Sequence, residues 1–121
     1  MVNAYISGTG FYVPPRVVTN QMLADEYGID TTHEWIVQRT GIEERRYAPV
    51  GQGTSHLAVP AAEAAIAEAG LDKKDIDLII LATLSPDFHF PGTAVYLQKR
   101  LGLVDGDDPR FTPTLDIRNQ C

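Results

Sequence analysis

The run Leu78-Ile79-Ile80-Leu81-Ala82-Thr83, entered through Asp75-Ile76-Asp77, sets the tightest limit on what this chain can fold into. It is apolar at successive rather than alternate positions, so a strand built from it is a central parallel strand covered on both faces. It is also far too short for a membrane helix, which needs about 20 apolar residues. The neighbouring sequence offers the helices that would cover it. Upstream, Ser55 caps an alanine-rich helix that runs to Ala69 and closes at Gly70. Val59, Ala62, Ile66 and Ala69 recur there at helical spacing, and the other faces are mostly alanine too, which predicts burial between layers. Pro60 removes a backbone donor early in that helix and predicts a kink or a loosened first turn. Downstream, Pro91-Gly92 breaks the chain, and Thr93 to Leu101 reads as a helix with Ala94, Leu97 and Leu101 on one side. Thr114 to Ile117 reads as a second buried strand.

The first half is less regular. Ala4 to Val13 reads as a strand ended by Pro14-Pro15. Gly8-Thr9-Gly10 within it lacks the third glycine that opens a helix in a dinucleotide loop, so these glycines are expected to permit close packing instead. Asn20 is the expected N-cap of a short helix, Gln21 to Tyr27, closed by Gly28. A second helix starts near Thr31 or Thr32, carries Glu34 and Trp35 in its first turn and ends at Gly41. The order strand, helices, strand, helix, strand is that of an α/β layered fold. No repeat, low-complexity tract or linker is visible, so residues 1–121 are expected to form one domain or part of one.

Charge narrows the partners. Sixteen acidic against ten basic residues give a net charge of −6, which repels nucleic acid and an anionic membrane surface. A local basic patch remains compatible with a small phosphate-bearing ligand. The first residues show no basic segment followed by an apolar one, and no span is long enough for membrane insertion. With one cysteine, the chain suits a reducing compartment, and a cytoplasmic location is expected.

That cysteine, Cys121, follows the strand Leu115-Asp116-Ile117. Two readings stand. A cysteine where a helix begins after a strand gains a stabilised thiolate and becomes a nucleophile, whereas a lone cysteine elsewhere is a small buried hydrophobe. His33, His56 and His89 have no metal-ligand spacing to one another or to Cys121, so no metal site is expected. Glu43-Glu44 and Asp107-Asp108 read as solvated surface. Trp35 and Arg39 lie four apart on a helix and share a face. An indole and a guanidinium can hold an adenine ring and a phosphate together; the competing reading is a core tryptophan with an arginine packed over it.

The segment Glu34-Trp35-Ile36-Val37-Gln38-Arg39-Thr40-Gly41-Ile42-Glu43-Glu44-Arg45 closely resembles a block of the β-ketoacyl-acyl-carrier-protein synthase III family, whose pattern is DEWIxxRTGIxxR. Ser7 to Pro14 is similar to that family's first strand. Ile79 to Thr83 with Phe90-Pro91 is similar to its central strand and following loop, and Asp116-Ile117 leading to Cys121 to the approach to its nucleophile. The resemblance runs along essentially the whole chain. It implies a thiolase-like αβαβα fold, of which this chain is part of the first half. It implies that Cys121 takes an acyl group from acyl-CoA and passes it to the carbanion formed when malonyl-acyl-carrier protein loses carbon dioxide. Trp35 and Arg39 would clamp the adenine of coenzyme A, Thr31 would touch the nucleotide, and Phe90 would border the acyl pocket, in this family often the neighbouring subunit's. A homodimer follows, with acyl-CoA as substrate and no tightly bound cofactor.

Two features depart from the family pattern. Arg118-Asn119-Gln120 stand where small residues, often alanines, precede the family's cysteine, so the resemblance leaves the acyl substrate open. The family's histidine and asparagine, which stabilise decarboxylation, lie in the second half of a duplicated fold, so the carboxy-terminal remainder of the enzyme is expected on another chain or fragment. A related synthase of secondary metabolism or hydrocarbon formation, and a non-catalytic coenzyme A-binding fragment, are the alternatives.

Overall fold

The structure, a computed structural model, describes residues 3–104 and 111–118. The chain divides into two units, Val13–Gly51 and the combination of Met1–Tyr12 with Gln52–Cys121. In the first, strand β1 (Arg16–Thr19) leads directly into helix α1 (Asn20–Asp25), followed by helix α2 (His33–Thr40) and strand β2 (Glu44–Tyr47). β1 and β2 pair antiparallel, from Arg16 opposite Tyr47 to Thr19 opposite Glu44. Val18 is fully buried, and Tyr27 meets Tyr47 edge-on at 5.6 Å.

The expected helix after Asn20 exists, but its cap is Thr19, whose hydroxyl accepts from the Met22 amide at 3.3 Å. Asn20 cannot cap because its side chain is committed inward. It is fully buried, donates to the Ile42 carbonyl at 2.7 Å and accepts from Arg45 Nη2 at 2.6 Å. α2 matches expectation: Thr32 Oγ1 accepts from the Trp35 amide at 3.1 Å. Gly41, at φ 70°, ends it in the left-handed conformation that glycine adopts without strain. β2 was not legible, since Glu-Arg-Arg-Tyr carries no apolar alternation.

In the second unit, helix α3 (Thr54–Ala69), strand β3 (Ile79–Ala82), helix α4 (Thr93–Arg100) and strand β4 (Thr114–Ile117) follow in order, with a short 3-10 turn at Lys73–Asp75. β3 and β4 pair parallel, Ile79 opposite Thr114 and Ala82 opposite Ile117. Ile79, Leu81, Ala94, Leu97 and Leu101 form the core, with Ala58, Val59 and Ala62 of α3 packed on it.

Four expectations change. β3 is shorter than the apolar run, and among the described residues it is covered on one face only: Ile80 and Leu115 on the other face are 56% and 52% exposed. α3 is mostly half-buried rather than enclosed, with only Ser55 fully buried; Pro60 lies within it. Its N-cap is Gly53, because Ser55 lies inside the first turn, where its amide donates to the Asp87 carboxylate at 3.1 Å. Residues 4–13 form no strand. Gly8 and Gly10 lie against α3, so close to the carbonyls of Ala65 and Ala61 that a Cβ would collide with them. The expected close packing of these glycines is thus made against a helix backbone instead of a sheet.

Gly10→Ala should therefore lower stability by about 1–3 kcal/mol through overpacking, read as a lower urea midpoint. Glu68 provides a second check. Its carboxylate accepts from the amide and, at 2.8 Å, from the hydroxyl of Thr9. The backbone hydrogen bond first, then the hydroxyl, holds its pKa below the ordinary 4.5. The stabilisation is complete above 4.5 and is lost as pH falls through the lowered value. Protection of the Thr9 amide, the slowing of its exchange relative to an unstructured chain at the same pH, should fall over that acid range, and Glu68→Gln should remove this pH dependence.

Candidate active site

The nucleotide-contact candidates all fall on or beside α2. Thr32 caps the helix, so Thr31 stands just outside it. Among the described residues, its Oγ1 is the one buried side-chain polar atom without a hydrogen-bond partner. Trp35 is 52% exposed, and the Arg39 guanidinium lies 4.2 Å from its ring centroid. The core-tryptophan reading thereby falls, while the arginine packed over the ring is real. The geometry also limits how a base can bind. Inserting a ring between indole and guanidinium requires about 7 Å, twice an ordinary carbon contact, so with Arg39 in place that indole face has no room for one.

The second half of the same sequence block is structural. Arg45 donates from Nη1 to the Val18 carbonyl at 3.2 Å and from Nη2 to Asn20. With Asn20 Nδ2 on Ile42, this ties the turn after α2 to the end of β1. His33 Nδ1 lies 3.4 Å from Asn20 Nδ2.

In the other unit, Cys121 lies outside the described residues, as do Asn119, Gln120 and Asp107-Asp108. What is described is the approach to it. β4 ends at Ile117, whose carbonyl accepts from the Thr83 amide at 3.1 Å, so residue 118 and the loop after β3 leave the sheet side by side. The crevice beyond the carboxyl ends of parallel strands is where α/β sheets form sites. That loop carries His89 and Phe90. Phe90 is 89% exposed, precedes a cis peptide to Pro91, and is followed by Gly92 at φ 118°.

Two carboxylates, neither singled out from sequence, hold this loop. Asp87 binds the α3 start at the Ser55 amide and hydroxyl, and its own amide donates to Thr93 Oγ1 at 2.9 Å. Asp116 accepts from the Thr93 amide at 2.9 Å and the Ala94 amide at 3.2 Å. In the sequence, Asp116 stood out only within the Asp116-Ile117 stretch of the family resemblance, and Asp87 not at all. The histidines also find local partners: His56 Nδ1 accepts from the Gly53 amide at 3.1 Å, and His89 Nδ1 lies 3.3 Å from Arg118 Nη1. No cluster able to hold a metal occurs among the described residues.

Searched against protein-family models, the chain matches none. A β-ketoacyl-acyl-carrier-protein synthase III of Bradyrhizobium diazoefficiens is 53% identical over 105 residues, 87% of this chain and 32% of that protein. One from Laribacter hongkongensis is 48% identical over all 121 residues, 35% of its length. The crystal structure of 3-oxoacyl-acyl-carrier-protein synthase III from Aquifex aeolicus superposes with a TM-score of 0.81 at 41% identity, over 96% of this chain and 35% of that one.

Over the stretch it spans, the chain belongs to the β-ketoacyl-acyl-carrier-protein synthase III family. The expected α/β thiolase-like fold is borne out by the same superposition. The chain spans about a third of the length of the relatives it matches. No helix among the described residues is long and apolar enough to cross a membrane.

Proposed function

We propose that this chain is part of a condensing enzyme that takes an acyl group from acyl-CoA onto Cys121 and joins it to malonyl-acyl-carrier protein, giving a β-ketoacyl product for fatty-acid synthesis. The observation that carries the reading is the 48% identity to a synthase III over all 121 residues of the chain. In the first step the Cys121 thiolate attacks the thioester carbonyl, the carbon–sulfur bond to coenzyme A breaks, and the coenzyme A thiolate leaves to take a proton. In the second, the malonyl carboxylate departs as carbon dioxide. The electron pair of that carbon–carbon bond attacks the acyl carbon, and the Cys121 thiolate is released. Both steps develop negative charge on a carbonyl oxygen and need donors aimed at it. The histidine and asparagine of the reaction come from the remainder of the enzyme.

Recognition of coenzyme A rests on α2. Adenine stacks on the open face of Trp35 while Arg39 backs the other face and turns its remaining donors toward phosphate. The buried, partnerless Thr31 hydroxyl supports this assignment, since a ligand oxygen or nitrogen would satisfy it. Phe90 borders the acyl pocket, and its exposure in the single chain fits a side chain completed by a second subunit of a homodimer. The cytoplasm is the matching location, and no tightly bound cofactor is required.

In the complete enzyme, Cys121→Ala should abolish the acyl adduct seen by intact mass spectrometry after incubation with acyl-CoA. An adduct that persists at another residue refutes the assignment. Trp35→Ala should raise the Michaelis constant for acyl-CoA about tenfold, the scale of one lost base stack, with kcat little changed. An unchanged constant counts against the stacking site.

A further inference from the structure

Arg118 departs from the family's small residues before the cysteine, and the structure gives it specific contacts. Its Nη2 donates to the His89 carbonyl at 3.2 Å and reaches the Phe88 carbonyl at 3.5 Å. Its Nη1 lies 3.3 Å from His89 Nδ1, and since a guanidinium only donates, the imidazole accepts there. A planar fork of five donors can meet two carbonyls and a ring nitrogen together, whereas a lysine ammonium acts as a point charge. These contacts join the exit of β4, three residues before Cys121, to the loop after β3 at the residues directly preceding Phe90.

The other contacts described on this loop lie to either side of the His89 backbone. Phe88 leans on Tyr96 with ring centroids 4.9 Å apart, and Asp87 and Thr93 anchor the two ends of the loop. Phe90 itself has almost no packing to hold it. We propose that Arg118 is a positioning residue for acyl selectivity: by holding the Phe88 and His89 backbone, it fixes where Phe90 stands and so how long an acyl chain the pocket admits. This rests on the reading of Phe90 as a pocket residue and Cys121 as the acyl carrier. In the single chain Arg118 and the carbonyls it meets are exposed, so water can replace the lost donors there, and the thermal midpoint checks the fold of the variant.

The test compares the unaltered complete enzyme with Arg118→Ala and Arg118→Lys, measuring kcat/KM over a series of acyl-CoA chain lengths together with thermal midpoint and inhibition by free coenzyme A. Arg118→Ala should change the ratio of kcat/KM between the preferred chain and one two carbons longer or shorter by about tenfold, the discrimination expected of a few methylenes in an apolar pocket. Midpoint and coenzyme A inhibition should stay constant, and Arg118→Lys should fail to restore the ratio. If all chain lengths change by one common factor, or the lysine variant restores the ratio, the positioning role is overturned while acylation of Cys121 stands. If the unaltered enzyme forms no acyl adduct at Cys121 with any chain length, the functional reading falls and the selectivity role falls with it.

Discussion

The larger unit is organised around the Asp116 carboxylate. It sits on β4 opposite Leu81, on the covered face of the sheet, and accepts from the first two amides of α4. Gly92, the N-cap of α4, has no side chain to offer those amides, so a carboxylate from a strand 23 residues ahead of Thr93 supplies the acceptor. Negative charge at a helix N-terminus is stabilised by the helix dipole, by about 0.3–1 kcal/mol at the surface and up to about 2 kcal/mol when partly buried. The same carboxylate occupies the space where a Cβ on residue 92 would go, so glycine is required there for steric reasons as well as for its φ of 118°. One group thus sets the start of α4, the direction of the loop after β3 and the register of β4.

Asp87 repeats the device at α3. It reaches from the same loop to the buried Ser55, whose hydroxyl also accepts from Arg100 Nε of α4 at 2.9 Å. α3, α4 and the loop between β3 and α4 are therefore cross-linked by polar groups at their ends, while apolar side chains join them in the middle. The loop's tip, Phe88 to Phe90, is held more lightly, by Arg118 and by Phe88 against Tyr96. A loop firmly anchored at its base and sparsely held at its tip is suited to changing ligand contacts without disturbing the core.

Legibility in the sequence followed the range of the interaction. α2 was read almost to the residue because its stop and start are local, a threonine hydroxyl on an amide three residues on and a left-handed glycine. β4 and the apolar side of α4 were legible for the same reason, since periodicity is written in neighbouring residues. The misassigned caps at Asn20 and Ser55 have one cause. Each is a good capping residue drawn inward by a distant partner, Arg45 in one case and Asp87 in the other. β2 escaped notice because its pairing is made by backbone while its side chains are charged. Residues 4–13 looked like a strand because an extended segment against a helix and a strand in a sheet make the same demands on small residues. Trp35, Arg39 and Thr31 became candidates together only through family resemblance, whereas spacing alone left Trp35 between core and surface.

Within Val13–Gly51, the polar groups divide into satisfied and unsatisfied ones, and the division bears on the proposed nucleotide contacts. Asn20, Arg45 and Thr32 all have partners at hydrogen-bond distance. Thr31 Oγ1 has none, though burial of an unpaired hydroxyl costs about 1–3 kcal/mol. Trp35 keeps half its surface in water, leaving apolar area exposed at about 25 cal/mol per Å². Both costs fall within five residues of one another, at the start of α2. A flat ring with polar edges placed on the open indole face removes the second and can remove the first. The exposed pair is the physical feature that the coenzyme A assignment accounts for.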